Sequence, residues 1–216
     1  MDSASKLVQL VQVRLKGAPE YLCAAAVRKA MSQICRQTDC WQKTITFVLD
    51  AGMMETTVDE LLRVRMPDLG YEADCARLFR VLVETSDGAG GYNRFTNLQD
   101  GTFRVHRGET MQIEFSSDDA AEADDRITIA VSLAPYELGA TLNEIPPGIV
   151  QLCGEAAVHL ATADVMRMSK RPWTDYEAAQ WEWTEGMNAL RQIISNVDNG
   201  STNGTASAPV SGIVEG

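Results

Sequence analysis

Apolar residues recur along this chain with two different periods, and each change of period marks a boundary. Leu7, Leu10, Val11 and Leu15 are spaced by three and four, which predicts a first helix that Ser3 or Ser5 can cap. Gly17-Ala18-Pro19 breaks it. Pro19 then opens a second helix over residues 20–38. Its inward positions are Leu22, Cys23, Ala26, Val27, Ala30, Met31 and Ile34, and Arg28, Lys29 and Arg36 face out. Asp39-Cys40-Trp41 ends it, with Trp41 packed on the core.

From Thr44 the period becomes two. Ile45, Phe47 and Leu49 alternate with Thr44, Thr46 and Val48, the signature of a strand with one face buried. After a turn at Asp50-Ala51-Gly52, a second strand is expected where Leu62, Val64 and Met66 alternate with Arg63 and Arg65. Val81 and Val83 mark a third. Phe103–Val105 and Met111-Gln112-Ile113-Glu114-Phe115 flank Arg107-Gly108-Glu109 as a hairpin with glycine in its turn. Ile127, Ile129, Val131 and Leu133 give the last strand. Two loops interrupt this region, one over Ser86-Asp87-Gly88-Ala89-Gly90-Gly91 and one from Ser117 to Asp125. Residues 42–134 therefore predict a small antiparallel sheet or sandwich.

The helical period then returns. Pro146-Pro147-Gly148 opens a helix with Ile149, Leu152, Cys153, Ala156, Leu160 and Ala163 on one face. Its alanines keep it thin, so a partner helix can approach closely. Lys170-Arg171-Pro172-Trp173 stops it, because proline pushes the residue before it out of the α region. Pro172 and Trp173 are expected to form a corner, with Trp173 buried. Thr174 or Asp175 can cap a last helix whose stripe is Tyr176, Ala179, Trp183, Met187, Leu190 and Ile194. The expected class is α+β. Helix pairs at 1–41 and 135–196 form one helical bundle, 42–134 is a β-rich insertion, and 197–216 is a polar, extended C-terminal arm. The Gly, Ser, Thr and Asn content of that arm predicts disorder in isolation. Val210, Ile213 and Val214 are its apolar anchors for a portal or neighbouring copy.

Composition narrows the function. The chain has 216 residues, is 45% hydrophobic and carries a net charge of −11. A protein that grips phosphates needs a basic surface, so this one is not expected to hold nucleic acid. No apolar run approaches the ~20 residues that span a bilayer. The first residues lack a secretory signal, so the product is expected to stay in the cytoplasm that makes it. The five cysteines are irregularly spaced and read as reduced, buried thiols.

Candidate chemistry is sparse. His106 shares the polar face of its strand with Arg104 and reads as solvated. His159, beside Val158 and Leu160, reads as a core or interface histidine. A zinc site from these two and the cysteines has no C-x-x-C or H-x-x-x-H spacing behind it. Gly88-Ala89-Gly90-Gly91 lacks the Lys-Ser/Thr of a phosphate loop. Asp118, Asp119, Glu122, Asp124 and Asp125 form an acidic loop without the order of a calcium loop, expected to face solvent or a lumen. Asn199-Gly200-Ser201 and Asn203-Gly204-Thr205 match glycosylation sequons by chance. No nucleophile–base pair can be assembled, so a non-enzyme with no metal and no cofactor is expected.

The order of motifs carries a resemblance. Gly17-Ala18-Pro19 leads into a helix ending Ile34-Cys35-Arg36-Gln37-Thr38-Asp39-Cys40-Trp41. The β-rich middle closes on Val131-Ser132-Leu133-Ala134-Pro135. Leu142-Asn143-Glu144-Ile145-Pro146, the alanine-rich helix and Lys170-Arg171-Pro172-Trp173-Thr174-Asp175 follow. Over residues 5–195 this resembles the head-to-tail adaptor (neck, connector) proteins of tailed bacteriophages, similar to the tail tubular adaptors of short-tailed phages. The resemblance implies a homo-oligomeric ring, commonly of twelve copies, in the virion neck. The portal protein would lie above it and a tail or nozzle protein below. Genomic DNA would pass through without specific binding, no membrane would be involved, and assembly would take place in the host cytoplasm. The alternatives are another tail-completion ring protein, or a small-molecule or enzyme domain with Trp181, Trp183 and His159 lining a pocket.

Overall fold

Helix α1 (Ser3–Arg14) runs to a connection through Gly17, which adopts φ +88°, and Pro19 then sits immediately before α2 (Glu20–Thr38) in extended conformation. A proline there costs no intrahelical hydrogen bond. Helix α2 ends at Asp39 in the left-handed region, whose N–H returns to the Cys35 carbonyl. Aspartate tolerates this conformation better than most L-residues. The computed structural model describes residues 3–49, 55–65, 73–86, 92–97, 103–107, 111–115, 125–135 and 145–199. The chain divides into two units, one made of Met1–Cys40 with Ile145–Gly216 and the other of Trp41–Glu144.

In the first unit, α4 (Pro147–Met166) packs against α1, α2 and α5 (Tyr176–Asp198). A helix apolar on nearly all sides belongs at the centre, and α4 fits this with Ile149, Cys153, Ala156, Ala157, Ala161 and Val165 all buried. On α1, Leu7 and Val11 are buried but Leu10 is exposed, contrary to the spacing. Helix α4 ends at Met166, before the proline signal. The corner that follows places Lys170 at φ +59° and is closed by Thr174, which accepts from the Arg171 N–H at 3.0 Å and donates to the Met168 carbonyl. Asp175 caps α5 by accepting from the Ala178 N–H at 2.9 Å. The stripe expected on α5 holds at Ala179 and Leu190 and fails elsewhere. Ala179, Glu182, Gly186, Leu190 and Ile193 are buried, whereas Tyr176, Trp183 and Ile194 are exposed. The small residues win the inner face because α5 approaches α4 closely there: a Cβ on Gly186 would lie 2.8 Å from Leu160.

The second unit is antiparallel. Strands β1 (Gln42–Val48), β3 (Ala73–Ser86), β4 (Tyr92–Asn97) and β7 (Arg126–Pro135) form one sheet in the order β1-β7-β3-β4. Strands β2 (Glu55–Thr57), β5 (Phe103–Arg107) and β6 (Met111–Phe115) form another in the order β2-β6-β5. Ile129 of β7 stands opposite Ile45 on one side and Val81 on the other, so three strands bury one continuous row. Strands β5 and β6 pair with Arg107 opposite Met111, as the hairpin signal predicts. The strand expected around Leu62 is instead helix α3 (Val58–Arg65). Thr57 accepts from the Glu60 N–H at 3.1 Å, and Val58, Leu61 and Leu62 are buried at helical spacing. That start signal outweighs a short alternation. The turn at residues 50–52, the Gly-rich loop beyond Ser86 and the arm beyond Asn199 lie outside the described residues.

Candidate functional site

The helical unit carries a groove of about 570 Å³ beside α1 and α4, with Lys6, Leu7, Leu10, Arg14, Gly154 and His159 among its lining. Gly154 gives it a low floor, with Leu7 as the nearest neighbour of a hypothetical Cβ. Three polar side chains meet at its rim. Arg14 Nη1 donates to Glu182 Oε2 at 2.7 Å, and His159 Nδ1 lies 2.6 Å from the same oxygen. A carboxylate oxygen only accepts, so Nδ1 carries the ring proton and donates to it. The 3.1 Å separation of Arg14 Nη1 from Nδ1 is then a close approach of two donors sharing one acceptor. Glu182 is buried in this way and ties α1, α4 and α5 together. Among the described residues no Ser, Thr or Cys bonds to the His159 ring, so this pair holds the orienting half of a hydrolytic triad without a nucleophile.

Beside this cluster α5 presents aromatic rings to solvent. Trp181 is 59% exposed and sets its edge against His159, with ring centroids 6.0 Å apart. Trp183 lies under the Arg167 guanidinium, 5.9 Å from its ring centroid. His159 lines this groove, and Trp181 and Trp183 are not among its lining residues. Tyr176 on α5, and Val13 and Tyr21 on α1 and α2, are each more than half exposed.

The structure also assembles a cluster that spacing did not disclose. Cys35 lies in the last turn of α2, Cys40 follows its left-handed cap, and Cys153 faces them from α4. Cys40 Sγ is 3.4 Å from Cys153 Sγ and 3.9 Å from Cys35 Sγ, and all three thiols are buried. Hydrogen bonds from Cys153, then Cys35, push the Cys40 pKa down against the opposing effect of burial. Cys35 is pushed up by its bonds to Cys153 and Cys40, and burial adds to this. For Cys153, bonding from Cys35 pulls down, but donation to Cys40 and burial together raise it.

Other residues singled out from the sequence fall elsewhere. Asp125 is only 2% exposed and its carbonyl accepts from the Leu49 N–H at 2.8 Å, so it is buried just before β7 and does not face solvent as expected. Asp118, Asp119, Glu122 and Asp124, and the anchors Val210, Ile213 and Val214, lie outside the described residues. Pro172 is exposed and Trp173 half-buried, with its Nε1 shielded from solvent and without a hydrogen-bond partner. His106 stands opposite Gln112 in the β5–β6 pair. Among the described residues no helix is long and apolar enough to cross a membrane. Comparison of the chain with protein-family models finds no match, and comparison with curated proteins finds none either.

Proposed function

We propose that this chain is a structural virion protein, a head-to-tail adaptor that forms a ring between a portal and a tail and lets DNA pass. In this reading the helical unit is a bundle that carries the β-rich unit as an insertion, with a C-terminal arm anchored through Val210, Ile213 and Val214. The observation that carries it is the pair of exposed apolar sets on that unit. One comprises Leu10, Val13 and Tyr21 on α1 and α2, and the other comprises Tyr176 and Trp181 on α5. Exposed apolar side chains on different helices of one copy suit a heterologous, head-to-tail contact, which closes into a ring when the rotation allows. Exposed aromatics are also the residues most enriched at interface centres. The net charge of −11 supports a channel wall that repels DNA phosphates. No catalytic role is assigned to any residue.

Native mass spectrometry and sedimentation of the purified chain, alone and with portal protein, test this. A closed ring, or a complex on the portal with a fixed multiple of this chain, is the expected result. Trp181→Asp and Tyr21→Asp should each abolish ring formation while leaving the monomer's melting temperature within about 2 °C, because both side chains are exposed. A protein that stays monomeric at all concentrations and ignores portal would overturn the proposal. The groove beside His159 favours a second reading, a small-molecule binder.

A further inference from the structure

We propose that Cys35, Cys40 and Cys153 form a binding site for one thiophilic d10 cation, zinc(II) or copper(I), held by three thiolates. Thiolates are the ligands that select these ions over the harder divalent cations. The three sulfurs lie within 4.8 Å of one another, with two separations of 3.4 and 3.9 Å. A point equidistant from sulfurs so spaced lies about 2.1–2.4 Å from each, against a zinc–thiolate bond of about 2.3 Å.

The cluster lies at the C-terminal end of α2, where unsatisfied carbonyls and the helix dipole favour positive charge. The turn at Asp39 brings Cys40 back over Cys35, only five residues earlier. The thiols are buried, so an ion bound there is shielded from competing water. Charge and coordination number pull in different directions on the ion's identity. A divalent ion leaves one net negative charge on three thiolates and a monovalent ion leaves two, which favours zinc. Three ligands without a fourth protein donor favour copper(I). Binding displaces the protons that the thiols carry, so affinity falls as pH is lowered. The ligands come from chain segments on either side of residues 41–144, so the ion would staple those segments together.

The experiment uses the full chain, reduced and handled without oxygen or chelator. Metal content is measured on the isolated protein. Metal-free protein is then titrated separately with zinc(II) and with copper(I), each against a chromophoric competitor. One equivalent of one ion should bind per chain, with an ultraviolet thiolate-to-metal band and a rise in melting temperature. Cys153→Ala should abolish uptake, and Cys23→Ala, a buried thiol outside the cluster, should leave it intact. If Cys153→Ala does not fold, Cys153→Ser serves, with native-state alkylation as a second readout: bound ion should protect all three thiols in wild type. Folded wild-type protein that takes up neither ion overturns the proposal, as does equal uptake by the Cys153 variant. A Cys40–Cys153 disulfide forming in air, with no uptake by the reduced chain, overturns it too.

Discussion

Gly186 and Gly154 sit on facing helices and predict opposite outcomes for the same change. Alanine is a better helix former than glycine by about 1 kcal/mol. At Gly186 the new methyl would lie 2.8 Å from two Leu160 side-chain carbons and 3.2 Å from its backbone nitrogen. The backbone cannot step aside, so Gly186→Ala should destabilise the protein by about 1–3 kcal/mol in chemical denaturation. At Gly154 the nearest atom is the end of the Leu7 side chain at 3.0 Å, which can turn away. Gly154→Ala should be neutral or stabilising by up to ~1 kcal/mol, and a loss as large as that at Gly186 would contradict this account. Glu182→Ala leaves Arg14 and His159 without their shared acceptor and should cost about 1–3 kcal/mol. Glu182 carried a faint signal in the sequence, one acidic residue between two tryptophans. Its burial was not legible there, because its partners Arg14 and His159 come from distant segments.

Helix α5 shows why a correct element can carry a wrong face. Its spacing gives the helix and Asp175 gives the cap, and Ala179 and Leu190 of the expected stripe are buried, but Tyr176, Trp183 and Ile194 give way to Glu182, Gly186 and Ile193. Hydrophobicity favours the exposed set, and closeness of approach to the alanine-rich α4 decides for the buried one. Helix α3 was hidden for a related reason: eight residues are too few for period alone to tell a helix from a strand, and the Thr57 cap decided. The corner between α4 and α5 was legible from Pro172, although Trp173 is only half-buried there. Trp173→Ala should therefore lower stability by about 2–3 kcal/mol, below the 3–5 kcal/mol range for fully buried large residues. A loss outside that range in urea denaturation would mean the corner packs differently.

The alternation of helical and β-rich stretches was written in the change of period, whereas the cysteine cluster was not, since Cys153 follows Cys40 only after an entire β-rich unit. The adaptor reading makes its own prediction about the arm. Truncation after Asn199 should leave the melting temperature unchanged, because α5 ends at Asp198, and should weaken co-sedimentation with portal. Equal co-sedimentation would remove the arm from the attachment. The division of the chain also sets an order of events on the ribosome. Trp41–Glu144 is contiguous and can fold as soon as it emerges, while α2 must wait for α4. At ~5–20 residues per second that wait is about 6–25 s, during which Val27, Met31 and Ile34 have no central helix to cover them. The unit begun first is thus completed last. Nascent chains stalled with Glu144 just outside the exit tunnel should already protect the β-rich unit from protease while residues 1–40 are still cut.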